Sequence, residues 1–121
     1  MKKVFYLKTC STCSRILKEL DLQNWELREI KSLPITEAEL AEMFVLSNSY
    51  ESLFSKKSTQ IKERNIDVKS LKEEDFRKLI LEDYRFLKRP VFITDNEIFV
   101  GNDKNNILNL KKYFLKQILY F

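Results

Sequence analysis

The sequence predicts an α/β fold: a mixed four-stranded sheet with flanking helices, interrupted by an inserted helical subdomain. Three observations predict it. The chain opens on a strand, helix, strand pattern; its middle carries helix-start signals without strand alternation; and an apolar hairpin followed by one amphipathic helix closes it. With 121 residues it is long enough to bury a core without staples and reads as one domain. The sheet and its helices fall in 1–32 and 87–121, and the helical insertion in 33–86.

Lys3 to Leu7 holds the apolar run Val4-Phe5-Tyr6-Leu7 and reads as a buried strand. Ser14 to Leu22 reads as a helix, because Ile16, Leu17 and Leu20 fall on one side at helical spacing. Trp25 to Ile30 alternates apolar and polar, the period of a half-buried strand, so the opening unit should pair its two strands in parallel. Past Pro34, Thr36 with Glu39 forms a capping-box pattern that opens a helix carrying Leu40, Met43, Phe44 and Leu46. Ser70 with Glu73 forms a second such pattern ahead of Phe76, Leu79, Ile80 and Tyr84. Between them, Leu53-Phe54 and Ile61 are apolar stubs around the basic and polar stretch Ser55-Lys56-Lys57-Ser58-Thr59-Gln60. Val91 to Thr94 and Glu97 to Val100 form the hairpin, with Asp95-Asn96 suited to a tight turn at positive φ. Gly101 is the single glycine and marks a backbone angle or a close contact that a side chain would not tolerate. Asp103 or Asn105 caps a last helix in which Ile107, Leu110, Phe114 and Ile118 share a face.

A hydrophobic fraction of 44% with 33% charged residues is that of a soluble globular protein. No apolar run approaches the ~18–20 residues of a membrane span, and Met1-Lys2-Lys3 precedes too short an apolar stretch for a signal-peptide core, so a cytoplasmic protein without membrane contact is expected. The chain has no histidine. That excludes Ser-His and Cys-His couples and His-ligated metals, and leaves acid–base work to Asp, Glu, Lys, Tyr or Cys. Two cysteines cannot complete a four-thiolate zinc site, so no metal is expected. The net charge of +4 is spread along the chain, and direct nucleic-acid binding is not expected from it.

Cys10-Ser-Thr-Cys13 sits where a strand hands over to a helix. Unpaired N–H groups and the positive end of the helix dipole stabilise a thiolate there, lowering a cysteine pKa from about 8.5 to roughly 3.5–7.5. The bland alternative is a pair of small buried thiols in the core of a first helix turn. In a reducing compartment an isolated Cys-X-X-Cys is more often catalytic or redox-sensing than structural. Lys8 and Thr9 precede Cys10 and Ser11 follows it; the Lys8 charge is placed to lower the Cys10 pKa. Lys56, Lys57, Lys62, Arg64, Lys69 and Lys72 read first as a solvated helical surface and second as an anion-attracting face. Phe5, Tyr6, Phe92 and Phe99 read as core.

Phe5-Tyr6-Leu7-Lys8-Thr9-Cys10 with its helix, the inserted helical block, Leu53-Phe54-Ser55-Lys56-Lys57, Arg89-Pro90 before the hairpin and Val100-Gly101 after it together resemble the arsenate reductase (ArsC) family of the glutaredoxin-like type, which also contains the Spx regulators. The resemblance implies a thioredoxin-like (glutaredoxin-like) fold, with Arg89-Pro90 as a cis peptide and Pro90 shaping the wall opposite the thiolate. It also implies that Cys10 is the nucleophile, attacking a small oxyanion or thiol substrate. Glutathione and glutaredoxin, or thioredoxin, would then be the reductant, with no cofactor bound. Arg89 matches one of three arginines that hold the oxyanion in arsenate-reducing members, and a guanidinium suits that anion by bidentate hydrogen bonding. At the other two positions stand Ser55, beside Lys56 and Lys57, and Asn102. Cys13 is the second feature: Spx-type members use a Cys-X-X-Cys switch and bind the RNA polymerase α-subunit, whereas a thiol–disulfide oxidoreductase would use Cys13 to resolve the mixed disulfide.

Overall fold

The computed structural model describes residues 1–119. Four strands, β1 (Lys3–Tyr6), β2 (Glu26–Glu29), β3 (Val91–Ile93) and β4 (Ile98–Val100), form one sheet in the order β2-β1-β3-β4. β1 pairs with β2 in parallel and with β3 antiparallel, and β3 pairs with β4 antiparallel. The mixed sheet is therefore as predicted, and its topology sets the site. The end of β1, the start of β3 and the end of β4 lie at one edge of the sheet, which gathers Cys10, Arg89 and Asn102 there.

Alternation along β1 divides the core in two. Val4 points to one face, where Trp25, Phe92 and Phe114 form an aromatic cluster with Ile16 and Leu110 under α1 (Ser11–Lys18) and α5 (Lys104–Leu119). The Trp25 and Phe114 rings stack 5.4 Å apart, and Phe92 meets Trp25 edge-on at the same distance. Phe5 points to the other face, where Leu40, Met43, Leu53, Phe54, Ile80 and Phe86 cover it from α2 (Glu37–Ser47), α4 (Glu73–Glu82) and two 3-10 turns, 51–53 and 84–86. α3 (Thr59–Glu63) and a third 3-10 turn, 68–70, complete the stretch between β2 and β3. Each fully buried Phe or Leu contributes about 1.5–3 kcal/mol of burial free energy, so both faces are strongly held.

Several local expectations hold. Thr36 Oγ1 accepts from the Glu39 N–H at 3.1 Å while Glu39 Oε1 accepts from the Thr36 N–H at 3.0 Å, the reciprocal capping box. The Arg89-Pro90 peptide is cis. Gly101 has φ +85°, and a Cβ there would meet Lys88 carbons no closer than 3.7 Å, so the backbone angle rather than crowding requires glycine. Asp103, not Asn105, caps α5, its Oδ1 accepting from the Asn106 N–H at 2.8 Å.

Others are corrected. α1 begins at Ser11 rather than Ser14 and ends by Lys18. The second capping box does not form between Ser70 and Glu73: Ser70 Oγ donates to the Asp67 carbonyl, and Asp75 accepts from the Lys72 N–H at the start of α4. Glu73 instead accepts from Tyr50 and Glu51 N–H groups, tying α4 to the 51–53 turn. Tyr84 lies beyond α4 in the 84–86 turn. Asp95 and Asn96 do not take positive φ, since the Thr94 hydroxyl accepts from both the Asn96 and Glu97 N–H groups and closes the turn otherwise. On β2 the alternation runs against expectation: Leu27 is 53% exposed and Arg28 is buried, because Arg28 finds a carboxylate on α2. Ile118 is 70% exposed, as the three- and four-residue strands end before the last turn of α5.

Candidate active site

Cys10 is the N-cap residue of α1, with extended backbone angles φ −86° and ψ 112°. It ends a tight turn in which its N–H donates to the Leu7 carbonyl at 3.0 Å, and its own carbonyl accepts the first helical bond from the Ser14 N–H at 3.1 Å. No acidic residue occupies the first turn of α1, so nothing there opposes a thiolate at the positive end of the helix. Partial burial pulls the Cys10 thiol up. The Cys13 N–H and thiol, the Thr12 N–H and the Arg89 guanidinium all favour the thiolate and outweigh burial, so Cys10 lies below its ordinary value of 9.0.

Cys13 has the opposite environment. It is fully buried one turn along α1. Burial foremost pushes its thiol up to about 12; the Leu7 N–H and Arg89 oppose this, and the hydrogen bond with Cys10 and the Cys10 charge reinforce it. Both thiols are free, the first half-buried and the second enclosed. The pair is therefore an accessible nucleophile backed by a protonated thiol.

Cys10 opens onto a cleft of about 800 Å³ between the sheet edge and the helical segment. Of the predicted site residues, Ser55, Lys56, Lys57, Arg89 and Asn102 line this cleft with Cys10. Lys56 is held at 2.6 Å by Glu51, and Arg89 Nη1 donates to the Leu87 carbonyl at 3.3 Å. Lys8, Thr9, Ser11 and Pro90 do not line it. Lys8 and Thr9 are the exposed central residues of the Leu7–Cys10 turn, Ser11 is the exposed first residue of α1, and Pro90 is buried behind the wall. The positive charge acting on Cys10 is thus that of Arg89, which tertiary contact delivers, rather than that of its sequence neighbour Lys8. Lys62, Arg64, Lys69 and Lys72 are exposed and also lie outside the cleft, the solvated surface expected of them.

Sequence reasoning missed part of the lining. Ser49, Ser52, Ser58 and Thr59 present hydroxyls, while Arg85 and Lys88 add cations. The recurrence of serine at 49, 52, 55 and 58 was a visible signal, and Lys88 adjoins Arg89 in the chain. Two carboxylates also make contacts that the sequence did not signal. Glu39 accepts a bidentate pair from Arg28, 2.6 Å at each oxygen, and Arg28 Nη1 donates on to the Leu33 carbonyl at 3.1 Å, which bolts α2 to β2. Glu29, at the end of β2, accepts at Oε2 from the Lys8 N–H at 2.8 Å and at Oε1 from the Lys31 and Ser32 N–H groups at 3.0 and 2.6 Å. Partial burial pulls the Glu29 carboxyl up, and these three donors together with the Ser32 hydroxyl hold it below its usual range.

Comparison with known proteins bears on the same features. The Spx 1 global transcriptional regulator of Bacillus cereus is 27% identical over 111 residues, covering 88% of this chain and 84% of the relative. The Spx regulator of Staphylococcus epidermidis is 25% identical over 111 residues, with the same coverage. Among solved structures, an arsenate reductase from Vibrio cholerae superposes with a TM-score of 0.72 at 15% identity, covering 89% of this chain and 95% of its own. An arsenate reductase (ArsC) related protein from Brucella melitensis gives 0.66 at 20% identity, covering 93% of each chain. At these identities the two structures speak for the fold, which is thioredoxin-like with a mixed sheet and flanking helices. Residues 5–110 match the ArsC family, a span that holds both cysteines, Arg89 and the cleft, and the chain belongs to that family.

Proposed function

We propose that this chain is a thiol oxidoreductase that reduces an anionic disulfide or oxyanion at Cys10, with Cys13 as the resolving thiol. The asymmetry of the thiol pair carries the reading: a half-exposed Cys10 below the ordinary thiol value on the wall of a cationic cleft, backed by a buried Cys13 at about 12. With a disulfide, the Cys10 thiolate attacks one sulfur and expels the other as a thiolate, leaving a mixed disulfide on Cys10. That step removes the negative charge that helps hold Cys13 protonated. Cys13 then gives up its proton to the departing thiolate and attacks Cys10, releasing the second half of the substrate as a thiolate and forming a Cys10–Cys13 disulfide. Glutathione with glutaredoxin, or thioredoxin, supplies the two electrons that restore the dithiol in a cytoplasmic setting. With an oxyanion, Cys10 would attack the central atom instead and expel one of its oxygens as hydroxide. Ser55 and Asn102 leave Arg89 as the one guanidinium at the family's three anion positions, and the cleft far exceeds a tetrahedral anion in size, so the disulfide is the favoured substrate.

The similarity to the Bacillus cereus Spx 1 regulator favours a second reading. In it the Cys10–Cys13 disulfide is a switch and the reduced or oxidised protein binds the RNA polymerase α-subunit.

NADPH consumption coupled through glutathione reductase and glutaredoxin tests the first reading, with arsenate and a glutathione mixed disulfide offered in turn to wild type and Cys10→Ser. Turnover on the mixed disulfide that disappears in the variant is the expected result. No turnover on either, with redox-dependent binding to the α-subunit, would replace it by the second.

A further inference from the structure

Glu29 is the carboxylate that the chemistry above does not use, and its position is unusual. Its two oxygens join separate stretches of chain: Oε2 takes the Lys8 N–H, while Oε1 takes the Lys31 and Ser32 N–H groups. Lys8 is a central residue of the turn that the Cys10 N–H closes on the Leu7 carbonyl. The same Lys8 peptide is touched on its other side, where the Ser14 hydroxyl donates to its carbonyl at 3.5 Å. β1 and β2 stop at Tyr6 and Glu29, and one further bond, from the Ile30 N–H to the Tyr6 carbonyl, extends the ladder. Beyond it, Glu29 is the side chain that connects the nucleophile turn to the sheet.

We infer that Glu29 is a positioning residue for Cys10: by clamping the Lys8 peptide to the end of β2, it fixes where the Cys10 sulfur sits at the start of α1. It touches neither thiol. Lys8 enters the site through its backbone N–H, not its charge. A carboxylate accepts on both oxygens whereas an amide accepts on one, so the isosteric change to glutamine must turn an NH₂ group toward one set of donors and open the clamp. The sign of the outcome separates two roles. If Glu29 acted as a bare negative charge, its removal would make the Cys10 thiolate easier to form; if it positions the turn, removal makes the thiolate harder to form.

The test follows the Cys10 thiolate by ultraviolet absorbance and by iodoacetamide alkylation across pH, in the Cys13→Ser background so that one thiol reports. Glu29→Gln is compared with Glu73→Gln, whose carboxylate likewise bridges two backbone N–H groups, at Tyr50 and Glu51, outside the cysteine turn. Thermal unfolding accompanies both. The expected result is a Cys10 midpoint raised by about one unit in Glu29→Gln, hence about tenfold slower alkylation below the midpoint, an unchanged midpoint in Glu73→Gln, and partial recovery in Glu29→Asp. An unchanged or lowered midpoint in Glu29→Gln overturns the inference. Should Glu29→Gln not fold, Glu29→Asp decides alone: a raised midpoint supports the clamp and an unmoved one removes it. The inference rests on Cys10 as the nucleophile and not on the substrate, so a raised midpoint in a protein that turns over no disulfide would discard the reductase reading and leave the clamp standing.

Discussion

The two walls of the cleft differ in how their residues are held. Cys10, Arg89 and Asn102 follow β1, precede β3 and follow β4, so strand pairing sets their spacing. Ser55, Lys56 and Lys57 come from a short loop between the 51–53 turn and α3, where Lys56 is paired with Glu51 and both lysines reach into solvent. The strand-end wall supplies directed chemistry, a thiolate on helix N–H groups beside a guanidinium. The loop wall supplies charge without direction, because an ammonium on a flexible stem is a hydrated point charge. Reactivity is therefore a property of the sheet end, and the loop wall acts on which anion arrives. Within the strand-end wall the contrast repeats at one turn's distance: the same residue type lies below 9.0 at position 10 and near 12 at position 13, because one sulfur meets N–H groups and a cation while the other meets the core.

Changes on the strand-end wall should have the larger consequences. Cys10→Ser should cost on the order of a thousandfold or more in thiol-dependent turnover, since the nucleophile and the unit it belongs to are lost together. Turnover surviving that change would remove Cys10 from the mechanism. Cys13→Ser should keep the first attack and stop the second, so mass spectrometry should find a persistent glutathione adduct on Cys10. An adduct that clears as quickly as in wild type would show that an external thiol resolves it.

Glu39→Gln tests whether a contact on neither wall, the pair that joins α2 to β2, is energetically separable from the site. It leaves Arg28 buried with an uncompensated charge, and denaturant unfolding should show a loss of about 3–5 kcal/mol with little movement of the Cys10 titration. The pH sign follows from the carboxyl. Burial pulls Glu39 up, yet Arg28 and the Thr36 N–H hold it net below 4.5, so its stabilisation is full above the unfolded value and is lost as pH falls through the folded one. Glu39→Gln should accordingly flatten the acid limb of the stability profile. Smaller again, Arg89→Ala should raise the Cys10 midpoint and slow alkylation at pH 6 several-fold, by about 3–10 times. Lys57→Ala should leave that midpoint in place and raise KM for an anionic disulfide about twofold, an effect that fades with added salt. A Lys57→Ala midpoint shift as large as that of Arg89→Ala would erase the distinction between the walls.

How much of this was legible beforehand depends on the range of each interaction. The Thr36 and Glu39 box was readable because its partners are three residues apart and their spacing is the signal. The Ser70 and Glu73 box had the same spacing and failed, since Glu73 had backbone donors at 50 and 51 that no local pattern reports. Likewise, β2 alternation placed Leu27 inward until Glu39, eleven residues on, gave Arg28 a reason to be buried. Arg85 and the Glu29 clamp escaped for the same reason: their roles exist only across chain separations that periodicity does not span.

Local and short-period information in the sequence thus determined the mixed α/β order, the thiol pair at a strand-to-helix junction, the glycine at positive φ and the family to which the chain belongs. Those properties depend on backbone preferences and residue spacing that act within a few positions. The tertiary structure alone decided that Arg89 rather than Lys8 is the charge beside Cys10, that the two thiols differ in acidity, and that Lys56 and Lys57 line one cleft with Cys10. Burial and Coulomb interaction act through space, and here they act between residues whose distance along the chain carries no trace of their distance in the fold.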